Sequence, residues 1–138
     1  MLVVDASFLM AVFVEEEHTD FARSILAKLA ETPRIAPGLV TWEFANILWK
    51  KRRKDEILEQ HLSEAGDFLA VLDIDAMNPL EVEGVGDLAD LARTHGLTAY
   101  DAAYFNLAMT RAAALATIDR NLTKAGLAAG LVVHSPFT

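Results

Sequence analysis

Apolar residues along this chain fall into two kinds of run. Leu2-Val3-Val4, Arg34-Ile35-Ala36, Leu72 to Asp75, Ala114 to Ile118 and Leu131-Val132-Val133 are short and unbroken, as buried parallel strands are. Between them, apolar positions recur every three or four residues, which predicts helices. Ser7 is placed to cap a helix running to about Val14. Thr19 is placed to cap a second, with Phe21, Ala22, Ile25, Leu26 and Leu29 on one face. Pro37 suits the first turn of a third, which carries Leu39, Val40, Glu43 and Ile47 on one side. Asp55 to Leu72 reads as a fourth, through Leu58, Leu62, Ala65, Phe68 and Leu69. Asn78-Pro79 opens a fifth, weakened by Gly84 and Gly86, that stops at Gly96. Strands alternating with helices predict an α/β fold: an α/β/α sandwich on a short parallel sheet, in one domain over residues 1–138.

The next helical stretch breaks the amphipathic pattern. Between His95 and Arg111 the chain reads GLTAYDAAYFNLAMT, and Asp101 is its only charge. Tyr100, Ala102, Ala103, Tyr104, Phe105, Leu107, Ala108 and Met109 leave no polar stripe, which predicts burial on most sides. An ionised carboxylate in such a place costs several kcal/mol unless a partner compensates, and no Lys or Arg adjoins it. Two further acids, Asp5 and Asp119, each end an apolar strand and precede a helix. Glu43 lies one turn inside the third helix, where Trp42, Phe44, Ala45, Leu48 and Trp49 are expected to cover the other sides.

Taken singly, these acids have ordinary readings. Thr98 with Asp101 fits a capping box, Asp119 fits a helix cap, and helix glutamates usually point to water. Taken together, they fall at the carboxyl ends of strands and at helix starts, the places that frame the ligand crevice of an open parallel sheet. Two carboxylates about 4 Å apart repel by roughly 4 kcal/mol at an effective dielectric near 20. Caps do not need such crowding, whereas a hard divalent cation of the Mg²⁺ kind does.

Composition narrows the chemistry. Apolar residues make up 53 % of 138 and mean hydropathy is +0.26, an excess that fits surface reserved for a partner or a second copy. No apolar run approaches the roughly 18 residues of a membrane span. Residues 1–14 resemble a signal peptide only superficially, since they lack a basic start and contain Asp5. There is no cysteine, so disulfides and thiolate metal sites are excluded and a cytoplasmic home is the expectation. His18, His61, His95 and His134 are scattered, which makes zinc a poor candidate. A net charge of −8 argues against nucleic-acid binding by overall attraction. The one basic cluster, Lys50-Lys51-Arg52-Arg53-Lys54, reads either as favourable charge at a helix C-terminus or as an RNA-backbone contact. No Gly-rich phosphate loop is present, Asp5 lacks the second aspartate of a dehalogenase-type phosphatase, and no paired acid beside it suggests a receiver.

VVDAS at the start, the isolated Glu43 in VTWEFANIL, LTAYDAAYFNLA, and LATID followed by RNL occur in this order and spacing. On these marks the chain resembles the PIN-domain family, most closely the VapC-like toxin ribonucleases, over essentially its whole length. The resemblance places the metal-binding acids at Asp5, Glu43, Asp101 and Asp119, with Ser7 and Thr117 as polar support; of these, Asp5, Asp101 and Asp119 are expected to bind the metal, and Glu43 to position or deprotonate the attacking water. It also implies Mg²⁺- or Mn²⁺-dependent cleavage of RNA, a homodimer, and an antitoxin that blocks the site. Asn121 leaves a fifth ligand open. An acidic pocket with apolar flanks suits a basic, Arg-bearing segment of such a partner. Two rival readings stand beside it: a non-catalytic module whose acidic pocket receives a basic peptide, and a PIN nuclease acting on another nucleic acid.

Overall fold

The structure is a computed structural model that describes residues 1–77 and 79–138. Its sheet is centred on β1 (Leu2–Val4), buried at every position. A strand covered on both faces has no side to offer water, so its sequence is apolar throughout rather than alternating. β1 pairs in parallel with β2 (Arg34–Pro37), Leu2 against Arg34, and with β4 (Ala114–Ala116), Val4 against Ala116. β3 (Asp75–Met77) extends the sheet beyond β2, and β5 (Val133–His134) extends it beyond β4. The order is β3-β2-β1-β4-β5, all parallel.

Seven helices flank this sheet among the described residues: α1 (Ala6–Phe13), α2 (Thr19–Lys28), α3 (Val40–Arg53), α4 (Glu59–Leu72), α5 (Val85–His95), α6 (Ala99–Arg111) and α7 (Arg120–Ala128). The α/β architecture expected from alternating strands and helices is the one observed. α6 packs across β1, β2 and β4 and buries Ala102, Tyr104, Phe105, Leu107 and Ala108, as its all-round apolar character requires. The apolar start of the chain is core too, with Phe8, Leu9, Met10 and Ala11 of α1 buried. None of these helices is long and apolar enough to cross a membrane.

Several boundaries differ from the pattern-based expectation. The cap of α1 is Asp5 rather than Ser7, because the Asp5 carboxylate reaches the Phe8 N–H. Thr19 begins α2 without capping it; its hydroxyl donates instead to the carbonyl oxygens of Ala11 and Val14. Pro37 ends β2 rather than opening a helix, with the Gly38 N–H after it bonding Met77 of β3, and α3 begins only at Val40. α3 runs to Arg53 and Asp55 turns into the left-handed region (φ 57°), so α4 starts at Glu59 and not at Asp55. α4 continues to Leu72 and stops on a left-handed Asp73 (φ 50°), which pushes β3 out to Asp75. Of the helix expected from Asn78-Pro79, Asn78 lies outside the described residues; a single turn at Val82–Gly84 leads into α5, which stops at Gly96 (φ 66°) as expected.

The chain passes from β1 to β2 and β3 on one side, then returns to β4 and β5 on the other. The sheet order therefore reverses between β1 and β4. At such a switch point the connections leaving the two neighbouring strands diverge and open a crevice at their carboxyl ends. Asp5 follows β1 directly, and Thr117-Ile118-Asp119 follows β4.

Candidate functional site

Asp5 is the deepest acid of the crevice, only 3 % exposed. Its Oδ1 accepts hydrogen bonds from Ser7 Oγ (2.7 Å) and the Phe8 N–H (2.8 Å), and its Oδ2 accepts from Thr117 Oγ1 (2.5 Å). The same two hydroxyls serve the β4 side. Ser7 Oγ accepts from the Ile118 N–H (3.1 Å), and Thr117 Oγ1 accepts from the Asp119 N–H (2.9 Å). Asp119 in turn caps α7 by accepting from the Leu122 N–H (2.7 Å). One network thus stitches the end of β1 to the end of β4 and fixes two acids side by side. It also gives Ser7 and Thr117 their places: each donates to Asp5, Ser7 while accepting from the Ile118 N–H across the switch point and Thr117 while accepting from the Asp119 N–H on its own side.

Asp101 comes to this crevice from α6. Thr98 caps that helix by accepting from the Asp101 N–H (3.1 Å), so the expected cap is real and the carboxylate sits in the first turn. Glu43 comes from the first turn of α3, half-buried. The electrostatics tie the four acids together. Burial pushes the Asp101 carboxyl up to about 6, with Asp119 and then Glu43 adding to the rise and Thr98 opposing it. Asp5 is raised to about 7, chiefly by burial, against the pull of its three hydrogen bonds, and Asp101 adds to it. Glu43 is raised by burial, with the Tyr104 hydroxyl working against the shift. Asp101 is therefore the acid that feels all three others.

Two expectations about these acids need correcting. The acid with the least exposure is Asp5, not Asp101, whose helix leaves it half-buried at the crevice mouth. The far sides of α3 are not covered either: Phe44 and Leu48 are buried, but Trp42 is 81 % exposed and Trp49 56 %. A helix with apolar residues all round gives no phase from which to tell its covered side. Tyr104 is the site residue that the pattern alone did not single out. It follows Asp101 by three positions, which places both on one face of α6.

The donor set suits a hard divalent cation: oxygen only, negatively charged and backed by hydrogen bonds. One oxygen of Glu43, Oε1, is buried with no hydrogen-bond partner, which marks the acid as part of the site rather than of the solvated surface. Among the described residues, however, no three acidic or histidine side chains converge tightly enough to cage an ion as they stand. The histidines have other occupations. His18 lies edge-on to Phe137, His61 Nδ1 accepts from the Leu58 N–H, His95 packs on Phe105, and His134 belongs to β5. Within the basic cluster, Lys51 pairs with Glu16 and Glu56, and Arg52 pairs with Asp55 and Glu59. Arg53 lies over the Trp49 ring.

A family model for the PIN domain matches residues 2–127, from the start of β1 to one residue short of the end of α7, with all four acids included. The chain belongs to the PIN-domain family. It is 35 % identical over 127 residues to Ribonuclease VapC3 of Pyrobaculum aerophilum, a match covering 89 % of this chain and 92 % of that one. Among solved structures, a Pyrobaculum aerophilum protein is similar at a TM-score of 0.67 and 24 % identity, over 96 % of this chain and 87 % of that chain. VapBC2 from Rickettsia felis, bound to a DNA fragment from its promoter, is similar at 0.66 and 16 % identity, over 97 % of each chain. VapC20 of Mycobacterium tuberculosis, a toxin that cleaves the sarcin–ricin loop, is similar at 0.65 and 16 %, over 96 % of this chain and 97 % of that one. These three likenesses speak to fold.

Proposed function

We propose that this PIN domain is a divalent-metal-dependent endoribonuclease, the toxin of a toxin–antitoxin pair acting in the cytoplasm. The observation that carries the reading is the position of Asp101, whose carboxyl is raised by burial and then by Asp119 and Glu43, and which adds a small part to the rise of Asp5. Identity with a named ribonuclease over most of the chain supports the choice of RNA as substrate. Asp5, Asp101 and Asp119 would hold Mg²⁺ or Mn²⁺, directly or through water. When bound, such an ion lowers the pKa of its water and offsets charge on the scissile phosphate.

The chain's own residues supply the rest. Ser7 and Thr117 keep Asp5 in one rotamer, so the crevice floor is rigid before anything binds. Glu43, raised by burial, would orient and deprotonate the attacking water. In-line attack then leaves a 5′-phosphate and a 3′-hydroxyl. The test is purified protein with RNA, in Mg²⁺ or Mn²⁺ and in chelator, with the product ends identified. Cleavage is expected only with metal and with 5′-phosphate ends. Cleavage undiminished by chelator, or cyclic-phosphate ends, would overturn the reading.

Partners follow from the same surface. Trp42, Trp49, Val82, Val85 and Tyr100 are all more than half exposed, an apolar excess that the fold itself leaves uncovered. We assign it to a homodimer contact or to the antitoxin, whose basic segment would enter the acidic crevice. Light scattering on the purified protein is expected to give twice the chain mass at micromolar concentration, and Trp42→Ala to shift the population toward monomer. A wild-type monomer would remove the dimer from this account and leave the antitoxin as the occupant.

A further inference from the structure

Tyr104 is 1 % exposed, yet its hydroxyl makes no hydrogen bond of good geometry within the protein. Glu43 Oε1 is the other buried side-chain atom left in the same condition among the described residues. A buried hydroxyl or carboxylate oxygen without a partner is expensive, and the great majority in folded proteins have one. These two orphans are also neighbours. Burial and then the Glu43 carboxylate oppose ionisation of the Tyr104 phenol, and the Ala6 N–H lies within reach of the same hydroxyl. Ala6 is the first residue of α1, immediately after Asp5, so its N–H has no carbonyl one turn earlier to bond. The phenol thus stands between the free N-terminal amide of one helix and the acid of another. It can accept from the first and donate to the second.

The two oxygens of Glu43 differ accordingly. Oε1 is buried without a partner, as the Tyr104 hydroxyl is, while Oε2 is not among the buried orphans. Packing alone would be satisfied by phenylalanine at position 104, which carries no hydroxyl to desolvate. We infer that Tyr104 is a positioning residue: its hydroxyl closes onto Glu43 Oε1 and holds the carboxylate so that Oε2 faces the crevice. The inference rests on the proposed role of Glu43 in orienting water. It adds that the orientation is set from α6, the helix that also carries Asp101. One helix then fixes both a cation ligand and the group that directs the water toward it, a form of preorganisation in which the supporting contact matters as much as the acid.

The test is Tyr104→Phe assayed beside wild type and Glu43→Ala, with RNA cleavage resolved into kcat and KM and with Mn²⁺ affinity measured on its own. Removal of the hydroxyl is expected to lower kcat about 10- to 100-fold, as small misplacements of a reacting group do. KM and Mn²⁺ affinity should stay where they are. In the Glu43→Ala background the same substitution should cost nothing further. In melts of the metal-free proteins, Tyr104→Phe should lower the transition only while Glu43 is present. An unchanged kcat, an equal loss in the Glu43→Ala background, or parallel losses in KM and Mn²⁺ affinity would each overturn the inference. Should Tyr104→Phe fail to melt cooperatively, fluorotyrosine incorporated in a Tyr100→Phe background keeps the packing and strengthens the donor. A changed kcat at constant KM then supports the role, and an unchanged one ends it. Wild-type protein that cleaves no RNA would remove the ribonuclease reading and this role with it, whereas an active wild type with an equally active Tyr104→Phe removes only the role.

Discussion

Asp101→Asn is expected to raise the stability of the metal-free protein while abolishing cleavage. The carboxyl is pushed up to about 6 because burial, Asp119 and Glu43 all disfavour its charge. Near pH 7.5 it is nonetheless ionised, and the fold bears that cost. Asparagine keeps the shape and leaves the Thr98 cap untouched, since that bond uses the backbone N–H of residue 101. Half-exposure screens the gain, so we expect about 1–2 kcal/mol, a few degrees in the melting transition. Cleavage should fall by about 10²- to 10³-fold or more, the scale on which a single electrostatic contribution to a transition state is lost. Mg²⁺ should then stabilise the variant less than wild type, because a ligand stabilises in proportion to its affinity. If Asp101 were only a favourable charge at a helix start, removing it would cost up to about 1 kcal/mol instead. The two readings differ in sign, and melts in chelator separate them.

The metal-free protein should also lose stability as pH rises from about 4 to 7, opposite to ordinary acid denaturation. Asp5 stands at about 7 and Asp101 at about 6 in the folded chain, both above the ordinary value of 3.8. Within that window the folded state binds more protons than the unfolded one, so stability falls with pH. Their stabilising contribution is complete below the unfolded value and gone once pH passes the folded one. For the buried Asp5 the loss is on the order of 2–4 kcal/mol; Asp101, half-exposed, adds less. His134, pushed down from its ordinary 6.5 by burial and by Lys28, works in the other direction below that value and offsets a small part. With saturating Mn²⁺ the slope should reverse, because the ion binds the deprotonated acids. Denaturant midpoints at intervals from pH 4.5 to 8, in chelator and in Mn²⁺, check this. Metal-free stability that climbs across the window would contradict it.

What could be read from the chain follows from how far each signal reaches. Leu2-Val3-Val4 and Ala114 to Ala116 declare themselves because a strand buried on both faces must be continuously apolar, and an acid after each marks the crevice. The cap at Asp119 and the Thr98–Asp101 pairing are local, so spacing suffices to find them. Asp5 as the cap of α1 was hidden by Ser7, which has the right chemistry two residues later but spends its hydroxyl on Asp5 and Ile118. The start of α4 and the position of β3 turn on the left-handed conformations of Asp55 and Asp73, which aspartate tolerates without announcing. Trp42 and Trp49 could not be assigned a side, since exposure on α3 is decided by what packs against it. Tyr104 reads as one more aromatic in an apolar helix; only the tertiary approach of α3 brings Glu43 to its hydroxyl.

Diffraction from crystals soaked in Mn²⁺, recorded for anomalous scattering, tests most directly whether these acids form one cation site. The account predicts a peak at the carboxyl ends of β1 and β4, bounded by Asp5, Asp101 and Asp119, that disappears in Asp101→Asn crystals. A well-occupied Mn²⁺ elsewhere with that crevice empty, or a peak that survives the substitution unchanged, would contradict it.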